Sequence, residues 1–573
     1  MRDAGLASAG EGRGCPLPDP LASLAPSVRT RTPTALRAIA VAFLLAALLI
    51  SVGSPAATSA AEKLTRAEAI AAADQDPKVV EEEREHGALG PAASLDDDKT
   101  HWEVAYFGAG EERVLVLVDA HSGEVTESWT GYQVAWKMAR GYSGSFGHKL
   151  NAPYVFLLLC LLFLLGLVDW SRLWRVANLD LLVLLGFGVS HYFFNRAEIG
   201  ISVPLVYPPL LYLLARSLWI GLRGRGDGLR PVWPVAWMLI AALFLMGFRV
   251  GLNVADSGAI DVGYAGVVGA DRIAHGEPIY DNFPDDVSTG DTYGPVNYLA
   301  YLPFEQIWPW SGEWDDLPAA HAAAILFDLA CFTFLILLGL RIRPGPEGQR
   351  LAATLAFGWA AYPYTAYALE SNTNDSLVAA LLLATLLLAA RPLARGALLA
   401  TATWAKFVAA PLAPMYLTYE RKLRPALLFA VGFLLVTVAV ITWPAIDPGL
   451  STFYDRTVAS QAGRVSPFSI WGQTSLEPLR IALMALTGTA SLAFAIYPRR
   501  KSLPQLAALS AALLVALQLT LHHWFYLYIV WFYPLFLVAA TAVEKGTGTP
   551  SERLVLLGQK QSRTDSPRPT RAS

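Results

Sequence analysis

The sequence predicts an all-α polytopic membrane protein of about 12–13 spans plus a re-entrant hairpin, with a small α+β domain outside the membrane. Three observations carry this. Of 573 residues, 54% are hydrophobic and only 16% charged, too apolar a balance for an ordinary soluble enzyme. The apolar residues fall in runs long enough to cross hydrocarbon, joined by short basic connections. Residues 62–133 break that pattern with a charged helix and alternating stretches.

The composition excludes several classes of protein. A net charge of -3 gives no reason to expect a nucleic-acid partner. Of the three cysteines, Cys15 lies near the N-terminus and Cys160 and Cys331 lie within apolar spans, so neither a disulfide framework nor a thiolate metal site is expected. Walker, dinucleotide-glycine, HExxH and C-x-x-C motifs are absent from the sequence, and SGSFG at 143–147 lacks the strand and spacing of a nucleophile elbow. No cofactor is expected, although the acidic loop described below leaves a divalent metal open.

Residues 1–34, rich in Pro, Ser, Gly and Arg, read as a disordered cytoplasmic leader. Residues 35–54 follow Arg29 and Arg31 and read equally as a signal peptide or a first membrane helix; either sends the next segment outside. Within 62–133, LTRAEAIAAADQDPKVVEEEREHG reads as a helix, while HWEVAYF and RVLVLVDAHSGEV read as strands with turn chemistry at Asp119 to Gly123. The helix, the paired strands and VLVDAHSGEV together resemble the PepSY-like domains found outside bacterial membranes.

Additional membrane helices are expected over 151–225, and the main membrane domain over 230–543. The connections WSRLWR, RGRGDGLR, RIRPGPEGQR and RPLAR are basic at every second turn, which fixes the cytoplasmic side. Between RPLAR and ERKLR, both basic, Gly396 to Tyr419 is long enough for one crossing only. The conflict resolves if Pro411 and Pro414 break the stretch into two short helices that enter and return. Residues 544–573 read as a disordered cytoplasmic tail.

This topology gathers four elements at the outer face: the loop 251–318, the turn ESNTND, the loop 444–475, and His522 with His523. The first holds about a dozen carboxylates against Arg272 alone, as expected of a non-cytoplasmic loop. Lys406 sits halfway into the hairpin, where an ionisable group needs a partner; a structural ion pair with Asp328 is one explanation. Adjacent histidines on a helix point about 100° apart, so one of the two faces a site, beside an interfacial belt of Trp524, Phe525 and Tyr526.

Several motifs then occur in order: Asp261 with Tyr264, GEPIY ending at Tyr280, TYGP containing Tyr293, LPF, NTND, WAKFVAAPLAP, SPFSIWG and HHWFYLY. The set resembles the polytopic GT-C glycosyltransferases, most closely the polyprenyl-phosphate-mannose-dependent enzymes of glycosyltransferase family 87. The resemblance implies transfer of a hexose, mannose above all, from a polyprenyl-phosphate donor to an envelope glycolipid or glycan at the extracytoplasmic face of the cell membrane. It implies a catalytic base in the first large outer loop, for which Asp261 is the first choice and Asp256 the next, and a part for His523 or His522. A carboxylate or imidazole is needed there because a sugar hydroxyl is a poor nucleophile near neutral pH.

Lys406 and Arg464 would then hold the carrier phosphate, and Asp271, Tyr280, Tyr293, Glu370, Asn374 and Asp375 would contact substrate. Asn374 and Asp375 equally suit a helix cap. A secondary transporter or lipid flippase would also use a broken hairpin, but no internal repeat is evident. A non-catalytic sensor would leave the ordered motifs without a purpose.

Overall fold

The computed structural model describes residues 63–96, 99–108, 110–141, 147–224, 228–229, 231–284, 287–460 and 466–542. The expectations about the leader, the first apolar segment, residues 143–146, Arg464 and the C-terminal tail fall outside the described residues. The fold below is that of the compact unit beginning at Arg66.

The outer module opens with two helices rather than the single one expected, α1 (Arg66–Ala73) and α2 (Pro77–His86). Pro77 cannot continue a helix, and Asp76 caps the new one by accepting from the Lys78 N–H at 2.9 Å. An antiparallel meander follows, of β1 (Gly90–Leu95), β2 (His101–Gly108), β3 (Glu111–Asp119) and β4 (Val125–Thr130). Only β2 and β3 carry strong alternation. The exposed GPAASL and VTESWT of β1 and β4 do not, so the sequence reading missed them.

Val104, Tyr106, Val114, Val116 and Val118 cover one sheet face and pack on Ala69, Ala73 and Val79. The β3–β4 turn forms as expected, with Asp119 Oδ1 accepting from the N–H groups of His121 and Ser122 at 3.0 and 2.7 Å.

Helices α3 (Pro153–Leu167), α4 (Val176–Asn195), α5 (Ile199–Arg223) and α6 (Val235–Asp256) come next. Two helices, α7 (Asp261–His275) and α8 (Pro295–Glu305), structure the acidic loop. Then follow α9 (Pro318–Ile342), α10 (Gly345–Ala361), α11 (Pro363–Glu370) and α12 (Asp375–Leu387). The chain continues through α13 (Pro392–Ala405), a 3₁₀ segment (Phe407–Leu412), α14 (Ala413–Leu417) and α15 (Leu423–Pro444). It closes with α16 (Glu477–Ile496), α17 (Leu503–Gln518) and α18 (Ile529–Ala542).

Among the described residues six helices are long and apolar enough to cross a membrane, and five apolar ones are shorter; the expected 12–13 spans included the segment 35–54, which lies outside the described residues. Proline and polar residues interrupt the runs. The 13 residues of α12 reach about 20 Å, short of a ~30 Å hydrocarbon core. Helix α18 is buried along its whole length, which is why its sequence is apolar on every side. In contrast, α15 buries only Phe429, Gly432 and Pro444, leaving most of its apolar surface outward as a lipid-facing helix does.

Two buried ion pairs staple the helices. Arg216 meets Asp180 at 2.9 Å between α5 and α4, and Arg249 meets Asp328 at 2.7 Å between α6 and α9. Asp328 also accepts from Trp359 Nε1 at 2.9 Å. Asp328 is therefore not the partner of Lys406.

The segment from Pro392 to Glu420 doubles back on itself. Arg395 near its start and Glu420 at its end form a 2.7 Å ion pair, and the Arg395 guanidinium lies over the Tyr419 ring. Its turning point is Lys406, which adopts extended backbone angles (φ -150, ψ 122) between α13 and the 3₁₀ segment. Pro411 and Pro414 lie on the returning arm, in the 3₁₀ segment and at the start of α14.

Candidate active site

Lys406 projects from this turning point into a cage built by three other parts of the chain. Its Nζ donates to Asp375 Oδ1 at 2.5 Å and to Asn374 Oδ1 at 2.9 Å, so both side chains of the NTND turn serve the lysine. Neither acts as a side-chain helix cap; Asn374, the cap residue by position, makes no capping bond. The rings of Trp531, Tyr293 and Tyr528 stand 5.0, 5.3 and 5.6 Å from Nζ. Trp531 Nε1 donates to the same Asp375 oxygen at 2.7 Å. The carboxylate fixes the ammonium, and the ring faces add cation–π attraction in a partly desolvated setting.

Close backbone approach makes this assembly possible. A Cβ on Gly294 would fall 1.9 Å from the Trp404 carbonyl oxygen, so only glycine lets TYGP lie against the end of α13 and bring Tyr293 over Lys406. Tyr280, buried, donates its hydroxyl to the Tyr293 carbonyl at 3.0 Å. It thereby holds the Tyr293 backbone.

The cage has hydrogen-bonding capacity left over. Asp375 Oδ2, Ser376 Oγ, Asn297 Nδ2 and Tyr301 OH are buried without partners among the described residues. They cluster because Asn374 donates to Asn297 Oδ1 at 2.7 Å and α8 carries both Asn297 and Tyr301. Buried polar atoms are seldom left unmade, so a donor and acceptor set of this kind suits a polyhydroxylated ligand.

The two histidines diverge, although they lie in the non-helical link after α17 and not on a helix as the sequence reading assumed. His522 Nε2 lies 3.0 Å from Glu477 Oε2, in a cluster with Arg480. His523 turns the other way, sharing a 2.9 Å hydrogen bond with Ser466 Oγ and packing against Trp136, Phe468 and Tyr528. Since Tyr528 also faces Lys406, His523 is the imidazole nearer the cage. The supposed interfacial belt of Trp524, Phe525 and Tyr526 is buried instead. Tyr526 is held by hydroxyl contacts to Ser190 at 2.6 Å and Ser202 at 3.0 Å, so the additional helices α4 and α5 brace this motif.

Asp261 begins α7 and is exposed, with its carboxylate accepting from the Val262 N–H at 2.9 Å. A Cβ on Gly263 would fall 2.2 Å from the Asn372 carbonyl oxygen, so α7, which Asp261 begins, lies directly on the NTND turn. Asp256 is engaged elsewhere, at 3.3 Å from Lys149 Nζ and accepting from the Lys149 N–H at 3.2 Å. Asp271 pairs with His275 at 3.2 Å. Glu370 is fully buried, with neither carboxylate oxygen partnered among the described residues. Asp256 and Asp271, for which the sequence suggested catalysis and substrate contact, are thus engaged by Lys149 and His275, and Glu370 is buried.

Sequence reasoning missed one clasp. Arg456 grips Asp291, itself fully buried, through Nε at 2.6 Å and Nη2 at 2.7 Å, tying loop 444–475 to the acidic loop two residues before Tyr293. Asp291 Oδ2 also accepts from the Asp281 N–H at 2.7 Å. The available signal was that loop 444–475 carries arginines, Arg456 and Arg464, where the loop 251–318 carries about a dozen carboxylates. Among the described residues no group of three His, Cys, Asp or Glu is placed to hold a metal ion.

A helical membrane protein with a cation-centred cage is thus the class that the fold and site define. Residues 292–543 match the family model described as Glycosyltransferase family 87, which supports a membrane glycosyltransferase. The match includes Tyr293, Asp375, Lys406, His523 and Trp531; Asp261 and the outer module precede it. No curated protein and no solved structure matches the chain.

Proposed function

We propose that the protein transfers a hexose, mannose first among candidates, from a polyprenyl-phosphate donor to an envelope glycolipid or glycan at the extracytoplasmic face. The observation that carries this is the Lys406 cage. Two of the three ammonium donors are committed to Asn374 and Asp375, which leaves one for a phosphate oxygen, and the unpartnered atoms around Asp375 suit sugar hydroxyls. The doubled-back segment lies between α15 and α16, both with mostly outward apolar faces, so a lipid-linked donor would arrive from the bilayer.

In the reaction the acceptor oxygen bonds to the sugar C1 as the C1–O bond to phosphate breaks. The base takes the hydroxyl proton and the polyprenyl phosphate leaves against Lys406. Asp261 is the proposed base, being an exposed carboxylate at the start of the helix that lies on the NTND turn, and His523 is the alternative. Tyr293 walls the donor site.

The test is incubation of the purified protein in lipid vesicles with radiolabelled polyprenyl-phosphate mannose and envelope glycolipid. Labelled glycolipid is expected, and at least about 10²-fold less of it with Lys406→Ala. Movement of label across the bilayer without covalent transfer would support a flippase instead.

A further inference from the structure

The sheet face opposite the hydrophobic core of the outer module is not bare. It forms a groove of 530 Å³, within the range of small-ligand sites. Its floor is Ala92 of β1 and Ala105 of β2, direct cross-strand partners whose small side chains make a depression. Ser94 and Glu103, paired in the same register, close one end. Phe107 and Glu112 close the other, with the Phe107 ring 42% exposed. The side wall comes from residues 134–140, which contribute Val134, Lys137 and Arg140.

The electrostatics of this groove are unusual for a solvated surface. Arg140 is anchored by donating from Nε to the Gln133 carbonyl at 2.9 Å and from Nη2 to the Val134 carbonyl at 2.8 Å. It feels Glu127, Glu103 and Glu112, yet forms no ion pair with any of them among the described residues. Burial raises the Glu112 carboxyl above its ordinary range while Arg140 partly offsets this. Carboxylates and cations thus face each other across an open gap with little excess of either sign. Such a gap disfavours a strongly acidic or basic peptide. It suits an uncharged ligand whose hydroxyls donate to carboxylates and accept from arginine, and whose C–H face rests on an aromatic ring.

The same short segment holds Trp136, two residues from Val134 and four from Arg140, which packs on His523 with ring centroids 5.9 Å apart. The groove therefore adjoins the candidate active site through one short segment.

We infer that this groove binds a neutral oligosaccharide, and that it is the subsite holding the glycan of the acceptor. The binding stands on the groove alone, whereas the acceptor role rests on the glycosyltransferase reading. The full chain in nanodiscs is titrated with mannotriose, maltotriose and cellotriose, and with short oligolysine and oligoglutamate peptides as charge controls. Saturable binding of at least one trisaccharide is expected, weakened about tenfold or more by Arg140→Ala and Glu103→Gln. Ala92→Trp, at an exposed strand position, fills the depression and should abolish binding without touching the core.

Binding of a peptide in place of every trisaccharide, or trisaccharide binding indifferent to all three variants, overturns the inference. So does the absence of saturable binding. Trisaccharide binding that persists in a protein unable to transfer any hexose would retire the transferase reading and the acceptor role with it, and leave the groove's saccharide binding standing.

Discussion

Replacing Lys406 by Met separates the structural part of the cage from its chemistry. The lysine is 13% exposed and its partner Asp375 1% exposed, so the substitution leaves a buried carboxylate with only the Trp531 N–H. Stranding one member of a buried pair costs about 3–5 kcal/mol, a large share of a total stability of ~5–15 kcal/mol. Asp375→Asn added to Lys406→Met removes the stranded charge and keeps an oxygen for Trp531, so most of that loss should return. Transfer should not return, because no cation remains for the phosphate. Thermal unfolding in detergent and the vesicle assay read the two parts separately. A single variant as stable as the wild type would refute the buried pair. A double variant that transfers at the normal rate would refute the role of the cation.

Asp261→Asn keeps shape but cannot accept a proton, so turnover should fall at least about 10²-fold with folding and donor binding retained; near-normal turnover would move the base role to His523. His523→Ala should impair transfer far more than His522→Ala, whose contacts are to Glu477 beside Arg480, and equal effects would undo that distinction. Arg456→Leu strands buried Asp291 and should cost about 3–5 kcal/mol in thermal unfolding, largely recovered in Arg456→Leu/Asp291→Asn. In the outer module, the Ser122 backbone N–H leads the hydrogen bonds that hold the Asp119 carboxyl down to about 2. A depressed carboxyl contributes stability above its unfolded value of about 3.9 and loses it as pH falls towards 2, so hydrogen exchange at residues 119–123 should accelerate across that window and not in Asp119→Asn.

What the sequence made legible was what local chemistry encodes. Basic connections fixed the order of turns, and basic flanks on both sides of Gly396 to Tyr419, with Pro411 and Pro414 inside, implied the doubling back that the Arg395–Glu420 pair closes. Motif order gathered TYGP, NTND, WAKF and HHWFYLY. Pairings between helices were not legible, because they depend on the depth at which each helix packs. Asp328 and Asp375 were both available to Lys406, and only the packing of α6 against α9 gives Asp328 to Arg249. Likewise Asp256, Asp271 and Glu370 looked like their acidic neighbours until Lys149, His275 and full burial distinguished them. Strands β1 and β4 lack the apolar alternation that revealed β2 and β3.

The most direct measurement is an experimental structure of the protein in lipid with a polyprenyl-phosphonate analogue of the sugar donor. The phosphonate is expected within hydrogen-bond reach of Lys406 Nζ, with the sugar against Asp375 and Asn297 and the lipid tail between α15 and α16. A phosphonate bound at any other place, with the Lys406 cage closed on Asp375 as before, would contradict the assignment of this cage as the donor site.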